Sequence, residues 1–236
     1  SFERDDILWF DGPEGLCALA DGTGREYPVQ RARGRYCAYV TGIPALGVKH
    51  FQFVAGVPSA ETLPVTTEAF ETPYFAGRFD GKMGIASLVE RKSGREVAKP
   101  GRSLNTLVAY EDKPHNYDAW DINIYYQEKS WPVDDVTSAE VVENGPVLAV
   151  VRVVRRFLSS TIQQDVLFYH DLPRVDFENE VDWQETQVLL KAHFPVDVFY
   201  QEATYDIQFG NVRRTTHANT SWDAAHFEVC AHKWAD

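Results

Sequence analysis

The sequence predicts an all-β protein built of antiparallel strands. Short apolar segments alternate with turn signals from the start, as where residues 7–10 are followed by Asp11, Gly12 and Pro13, a rhythm typical of strands joined by tight turns. Val175, Phe177, Asn179, Val181 and Trp183 alternate with acidic residues at positions 176, 178, 180 and 182, which is the period of a strand with one buried face. No stretch shows a capped apolar stripe of helical period.

The strand pattern divides the chain into two predicted domains. Short strands fill residues 1–56 and predict a small β-sandwich, whereas residues 57–70 carry Pro, Ser, Thr and Glu without a clean period and predict a linker. Longer strands over residues 71–236 predict a large antiparallel sandwich, because sheets with one polar face pack against each other. Residues 227–234 still alternate like a strand, so we expect the second domain to continue beyond the last residue.

One strand of the second domain carries conflicting signals. A β-branched run over residues 147–154 follows Asn144 and Gly145, a pair favoured in hairpins. Pro146 comes directly after that pair and cannot donate a ladder hydrogen bond. We therefore expect this strand to lie at a sheet edge or to contain a bulge.

The composition restricts the partners. The formal net charge is −12 over 236 residues, so nucleic acid and anionic membranes would be repelled. Neutral sugars feel little of this field, and carboxylates accept hydrogen bonds from their hydroxyl groups. The sequence holds three cysteines without paired spacing, no membrane-length apolar run and no signal pattern. These features predict a soluble, cytoplasmic protein.

Two rows of acidic or metal-ligating side chains are predicted to be structural. The first is His226, Glu228, Cys230 and His232. If these residues form a strand, its rise spreads them over roughly 20 Å, too far for one metal ion. The second row is Asp176, Glu178, Glu180 and Asp182. Four like charges on one strand face indicate a solvated surface rather than a catalytic pair, so no metal site and no catalytic residue is predicted.

The first candidate binding cluster lies in residues 115–121. Its candidate residues are Tyr117, Asp118, Trp120 and Asp121. Rings and carboxylates together suit a ligand whose hydroxyl groups must be both stacked and hydrogen-bonded, and loops carried on rigid sheets are where binding residues concentrate. The alternative is a polar loop around a buried tryptophan.

The second candidate cluster lies in residues 213–223. Its candidate residues are Arg214, His217, Asn219 and Trp222. Consecutive arginines beside Thr, His and Asn form a donor-rich rim that could hold a sugar. The alternative is an ordered connection held by side-chain to backbone hydrogen bonds. Trp183, by contrast, lies on the apolar side of its strand and is predicted to be core.

Several of these segments resemble a known family. Residues 175–185, 190–196 and 203–210 are similar to motifs of glycoside hydrolase family 38, and the strongest match covers residues 216–223 and 227–236. These motifs are those of the cytosolic, bacterial and vacuolar branch of its α-mannosidases. Residues 117–121 resemble a further motif of that branch. Residues 94–97 and 1–54 match more loosely.

The resemblance implies a retaining α-mannosidase whose catalytic α/β domain lies N-terminal to this chain. That domain would hold a zinc ion, bound by histidines and aspartates, and an aspartate nucleophile. The implied role of this chain is a small β domain followed by a super-sandwich like that of galactose mutarotase, packed on the catalytic domain and lending loops to the sugar cleft. By itself it would be inactive and hold no cofactor. A homo-oligomer is a further expected assembly.

The resemblance also implies residue roles. In relatives, a tyrosine and an arginine from the β region approach the bound sugar, which selects Tyr117 and Arg214, with the other candidates in support. His226 and Ala224 stand where arginine and tryptophan are commoner in the family motif, so the substrate preference could differ. Two other functions stay open: a purely structural or oligomerisation module, and an aldose epimerase of mutarotase type.

Overall fold

The structure, a computed structural model, describes residues 2–117 and 120–236. The all-β prediction is confirmed, since the paired strands in these ranges run antiparallel. Two five-residue helices, one 3₁₀ and one α, interrupt the strands. No helix in the described ranges is long and apolar enough to cross a membrane.

The first part of the chain forms two three-stranded sheets, β1-β5-β4 and β3-β2-β6. The strands are β1 (Arg4–Phe10), β2 (Leu16–Asp21), β3 (Glu26–Pro28), β4 (Gln30–Ala32), β5 (Arg35–Ile43) and β6 (Phe51–Ala55). Their alternating apolar residues meet in one core that contains Leu19, Tyr27 and Val40. These two sheets are called the first sandwich below.

A four-stranded sheet of order β10-β9-β8-β7 follows. Its strands are β7 (Ala69–Glu71), β8 (Phe75–Phe79), β9 (Ile85–Glu90) and β10 (Arg95–Glu96). Leu63 and Val65 precede it and are buried in the same core as Phe70, although they fall within the predicted linker. A Cβ at Gly77 would lie 2.3 Å from the Phe70 ring, so glycine is required there. The domain boundaries themselves stay a prediction.

A second four-stranded sheet, β13-β14-β15-β16, is the central sheet of the molecule. Its strands are β13 (Asp135–Asn144), β14 (Leu148–Phe157), β15 (Ser160–Tyr169) and β16 (Val175–Asp182). One face of β14, including Val151, packs on the β7–β10 sheet, and the other face, including Val150, packs on the first sandwich. The continuous apolar run of β14 is therefore that of a strand buried on both sides.

The expectation that Pro146 confines its strand to an edge is wrong. Pro146 lies in the turn before β14, whose first residue is Leu148, and β14 pairs with a strand on each side. The missing N–H therefore falls outside the ladder. The bulges occur in the neighbouring strand β13, between Val136 and Ser138 and between Val141 and Glu143.

A third sheet, β12-β11-β17, covers one end of the central sheet. The elements are β11 (Thr106–Glu111), the 3₁₀ helix (Ile124–Glu128), β12 (Ser130–Pro132) and β17 (Val188–His193). Leu107 and Ala109 point inward against Phe157 and Ile162. Trp183 stacks on Phe157 with ring centroids 5.8 Å apart and packs against this core, as its alternation predicts.

The chain ends in a two-stranded sheet and a short helix. These elements are β18 (Glu202–Ile207), β19 (Gly210–Thr215) and α1 (Ser221–Ala225). The prediction of a strand over residues 227–234 is wrong. The tail reaches β18 only near its end, where Asp206 N donates to the carbonyl of Trp234 at 3.0 Å and Tyr205 forms an isolated bridge with Ala235. Glu228 is instead held by side-chain contacts with β17, which are described below.

Polar side chains fasten the first sandwich to the central sheet. Gln30 is buried, donates to the carbonyl of Leu148 at 3.0 Å and accepts from the amides of Val147 and Leu148 at 3.0 and 2.9 Å. Arg33 donates to buried Asp165 at 3.1 Å. These contacts satisfy groups that burial would otherwise leave unpaired.

The same junction neutralises charges on the central sheet. Arg152 donates to both carboxylate oxygens of Asp165, at 2.8 and 2.9 Å, and Arg33 also pairs with Glu178 on β16. In addition, Asp176 accepts a hydrogen bond from the Tyr169 hydroxyl at 2.6 Å. The acidic row of β16 is therefore only partly a solvated surface, because its N-terminal half is used at this junction.

Candidate functional site

The described candidates of the first predicted cluster, Tyr117, Trp120 and Asp121, lie between β11 and the 3₁₀ helix. The amides of Trp120 and Asp121 donate to the carbonyl of Tyr117 at 2.9 and 3.0 Å, and Tyr117 adopts a left-handed φ of 58°, a conformation that costs energy for a bulky residue. Tyr117 is 75% exposed and Trp120 88% exposed, so Trp120 is not the centre of a buried loop. Asp118 lies outside the described residues.

The second predicted cluster begins on β19. Arg214 is half-buried, donates from Nη1 to the carbonyl of Cys230 at 3.0 Å and lies 5.1 Å from the centre of the Tyr205 ring. The tail and β18 therefore hold this guanidinium from two sides. Arg213, its neighbour on the opposite face of the strand, is 74% exposed and lies 3.9 Å from Glu202.

The remaining candidates of the second cluster surround helix α1. Thr220 and Asp223 form a capping box, with the Thr220 hydroxyl donating to Asp223 at 2.7 Å and accepting from its amide at 3.1 Å. The hydroxyl and the amide of Thr220 both donate to the Asp223 carboxylate, and these hydrogen bonds lower the pKa of Asp223. Nδ1 of His217 is buried, lies 3.7 Å from Asp223, and has no hydrogen-bond partner among the described residues. Asn219 is exposed in the turn before the cap.

Trp222 presents its ring to solvent at the first turn of α1. It is 74% exposed, and its ring meets His226 edge to face at 5.2 Å. His226 Nδ1 contacts the carbonyl of Trp222 at 2.7 Å. The structure thus assembles the second cluster locally around a short helix. In the described parts of the chain, no hydrogen bond or ring contact joins it directly to the first cluster.

A third cluster lies on the outer face of the β12-β11-β17 sheet, and none of its residues is among the binding residues predicted from the sequence. It is called the Lys191 cluster and consists of Tyr110, Tyr126, Lys191, His193 and Glu228. Lys191 on β17 forms an ion pair with Glu228 from the tail and donates to the Tyr126 hydroxyl at 2.9 Å. Tyr126, in the 3₁₀ helix, donates to Glu228 at 2.5 Å. Three distant segments therefore converge at one ammonium group.

The aromatic half of the Lys191 cluster is equally ordered. Tyr110 meets Tyr126 edge to face at 5.2 Å and stacks on His193 at 5.9 Å. Its hydroxyl lies 2.9 Å from His193 Nε2. Lys191 Nζ lies 4.4 Å from the centre of the Tyr126 ring, a cation–π contact.

The electrostatics of this cluster favour a charged pair beside a neutral imidazole. Burial disfavours the ammonium of Lys191, but hydrogen bonds with Glu228 and Tyr126 outweigh it and raise its pKa. Burial likewise disfavours the carboxylate of Glu228, yet its hydrogen bonds with Lys191 and Tyr126 lower its pKa. Burial, then the charges of Lys191 and Arg102, lower the pKa of His193. The imidazole is therefore neutral near pH 7.

The Lys191 cluster links the segments that carry the two predicted clusters. Tyr126 follows Tyr117 and Trp120 in the chain, and Glu228 follows α1. One sequence signal could have found part of it: Lys191 and His193 stand two positions apart and share a strand face. The contacts with Tyr126 and Glu228 bridge 65 and 37 positions, and no local pattern encodes them.

Comparisons with known proteins identify relatives of this chain. The model of the family described as "Glycosyl hydrolases family 38 C-terminal domain" matches residues 70–236. Alpha-mannosidase G of Dictyostelium discoideum is 41% identical over 158 residues, which is 64% of this chain and 14% of that protein. Human alpha-mannosidase 2C1 is 40% identical over 154 residues, 64% of this chain and 15% of that protein.

A solved structure resembles the whole fold. The crystal structure of an alpha-mannosidase from Enterococcus faecalis matches with a TM-score of 0.63 and 12% identity, over 94% of this chain and 33% of that one. At this identity the likeness concerns the fold alone. The chain spans about one seventh of the curated relatives' length.

Proposed function

The chain belongs to glycosyl hydrolase family 38, and from this we propose that it is the non-catalytic β-sandwich portion of a retaining α-mannosidase that hydrolyses terminal α-mannosides. It packs on a catalytic domain outside these residues and lends loops to the sugar-binding cleft. The observation that carries the proposal is the match of residues 70–236 to the C-terminal domain of the family. Relatives named alpha-mannosidases support it.

The exposed rings of the two predicted clusters support a sugar-binding role. Tyr117, Trp120 and Trp222 are 75%, 88% and 74% exposed, although burial of such rings is strongly favourable. Aromatic faces stack on the apolar faces of sugar rings. A module that served only to hold a scaffold together would gain more by burying these side chains.

The polar groups of the clusters complement these rings. Arg214 has five N–H donors, and Cys230 accepts from one of its nitrogens, so donors remain for sugar oxygens. Asp121 is exposed, and its carboxylate accepts hydrogen bonds from hydroxyl groups. His217, Asn219 and, outside the described residues, Asp118 complete the proposed substrate contacts.

Packing on a catalytic domain is supported by a second exposed surface. Val198, Phe199 and Tyr200, three consecutive residues before β18, are 60%, 99% and 71% exposed. Contiguous exposed apolar residues mark surfaces that contact another protein. We propose the enzyme's own catalytic domain as the partner, and a homo-oligomer as a further assembly.

We propose that the zinc ion expected of such an enzyme lies outside this chain. No group of three or more metal-ligating side chains occurs within the residues that the structure describes. Glu228, which belongs to the row of residues 226–232 described above, forms an ion pair with Lys191 and accepts a hydrogen bond from Tyr126. We therefore propose that zinc and the nucleophile belong to the catalytic domain, and that this chain incubated with zinc and an aryl α-mannoside gives no turnover.

A cytoplasmic location completes the proposal. Cys17, Cys37 and Cys230 are free thiols, as expected of a protein kept under reducing conditions. Burial also raises the pKa of the Cys37 thiol to about 12, so it is unreactive.

The decisive experiment replaces Arg214 in the full-length protein. Arg214→Ala should lower kcat/KM for 4-nitrophenyl α-mannoside by about 10- to 100-fold, since it removes a charged donor from the bound sugar. Arg213→Ala is the matched control, because the same residue type on the opposite face of β19 is exposed. Tyr117→Ala should also lower kcat/KM, by less.

The rival hypothesis of a structural module makes the opposite prediction. It expects Arg214→Ala and Arg213→Ala to have the same kcat/KM at unchanged melting temperature. That result would end the cleft-lining proposal. An epimerase would instead be revealed by accelerated mutarotation of fresh α-galactose, followed by polarimetry.

A further inference from the structure

A groove of about 470 Å³ opens at the Lys191 cluster, and none of its lining residues belongs to the two predicted clusters. Its lining residues are Tyr110, Tyr126, Lys191, Ala192, His193, Phe194 and Pro195. Phe194 forms part of the wall and is 45% exposed, while an edge-to-face contact with Phe177 at 5.2 Å supports it from behind. The groove therefore combines an exposed, supported ring with an ordered set of polar groups.

The Tyr110–His193 pair has the hydrogen-bonding capacity that a hydroxyl group needs. Its members share one hydrogen bond of 2.9 Å, and the imidazole is neutral because its pKa is lowered. In either tautomer, the pair retains one donor and at least one acceptor beyond this bond. A sugar hydroxyl, which both donates and accepts, is complementary to such a pair.

The charge of the groove favours a neutral ligand. The ammonium of Lys191 is balanced by the carboxylate of Glu228, and the whole chain has a net charge of −12. An anion would therefore find no excess positive charge from this pair, only the charge of Arg102 that acts on His193, and it would be repelled by the net negative charge of the chain. Lys191 still has a third N–H that can donate to a neutral oxygen.

From these observations we propose that the groove binds a second, uncleaved sugar residue of a glycan chain. Phe194 provides the stacking face and the Tyr110–His193 pair binds the hydroxyl groups. This inference rests on the proposed function and extends it to a site beyond the cleft-lining loops. The enzyme would accordingly prefer oligosaccharides to single sugars.

The test compares mannotriose with mannose in the full-length protein. Binding is measured by saturation-transfer NMR titration, with sulfur-linked mannotrioses of α-1,2, α-1,3 and α-1,6 linkage, which the enzyme does not hydrolyse during the titration. We expect the wild type to bind at least one mannotriose more tightly than mannose. Tyr110→Phe should reduce this preference about fivefold, as expected for one hydrogen bond, and His193→Ala should reduce it at least as much.

The control is Tyr125→Phe, the same substitution at an exposed tyrosine that does not line the groove; it should keep the preference. A wild type without preference, or a Tyr110→Phe variant that retains it at unchanged melting temperature, would overturn the inference. Hydrolysis of 4-nitrophenyl α-mannoside by the wild type tests the proposed function separately, because that substrate offers only one sugar residue.

Discussion

The central sheet and the C-terminal region use antiparallel strands in opposite ways. Strands β14 and β15 are covered on both faces, and most of their side chains are inaccessible. From residue 191 to residue 236, by contrast, no residue is buried. That region is ordered by the capping box of α1, by Arg214 and by the Lys191–Glu228 pair rather than by a core of its own.

This difference separates stability from recognition. Burial of apolar surface supplies most of the free energy of folding, so the central sheet stabilises the molecule. The C-terminal region leaves its rings and donors accessible, which is the arrangement required for contacts with a ligand or another domain. Substitutions in the two regions should therefore have different consequences, and four predictions test this.

The largest effect is expected for a core aromatic residue. Phe168 is fully buried and its ring lies 4.2 Å from that of Phe70. Phe168→Ala should lower the free energy of unfolding by about 3–5 kcal/mol, because a cavity remains. Phe209→Ala is the matched control at a fully exposed position, with an expected change below about 0.5 kcal/mol. If chemical denaturation gave equal losses of unfolding free energy for the two variants, the contrast between the central sheet and the C-terminal region would be refuted.

An intermediate effect is expected at the junction of the first sandwich. Gln30→Met keeps the side-chain length but leaves the amides of Val147 and Leu148 without their acceptor. A buried amide without a hydrogen-bond partner lowers stability, so we expect Gln30→Met to lower the free energy of unfolding by about 2 kcal/mol. Gln52→Met makes the same change at an exposed position of β6 and should be nearly neutral. If Gln30→Met were also neutral, the junction would not need this amide.

The smallest effect is expected for the Lys191–Glu228 pair. Its side chains are 24% and 35% exposed, so water screens the attraction and Glu228→Gln should cost about 1 kcal/mol at pH 7. The control is Glu71→Gln. Glu71 pairs with Arg91 and is 59% exposed, so this substitution should lower the free energy of unfolding by less.

The pH dependence of the same pair follows from the pKa shifts. The pKa of Glu228 lies below its ordinary value of 4.5, so its contribution is complete above about that pH and is lost as the pH falls through the lowered pKa. The pKa of Lys191 lies above 10.5, so its contribution persists below that pH and is lost on further rise. The difference between wild type and Glu228→Gln should therefore shrink in acid. A constant difference down to pH 2 would contradict this.

Local patterns predicted the parts of the fold that local physics determines. The alternation of residues 175–183 predicts β16 and the inward position of Trp183, because period two directly reflects the pleat. The family motifs likewise predict relatives that the comparisons identify. The roles assigned to Tyr117 and Arg214 stay predictions.

Other features depend on contacts between distant residues. Residues 226–232 alternate like a strand, but the capping of α1 and the attraction of Glu228 to Lys191 keep most of this segment out of a ladder. Pro146 predicts an edge strand, but its missing N–H has no effect on the pairing of β14, because Pro146 lies in the turn before that strand. Predicting such features requires knowing which distant residue each side chain contacts in the folded protein.

The Gln30 amide also has a consequence for motion. Its side chain makes three hydrogen bonds to the backbone at the start of β14, as a peptide group of a neighbouring strand would. A displacement of about 1 Å between the first sandwich and the central sheet would break all three bonds together. A hinge between the first sandwich and the central sheet is therefore strongly disfavoured, and the two should rotate as one rigid body. Any closure over a bound glycan would have to come from the lightly packed C-terminal region or from a neighbouring domain.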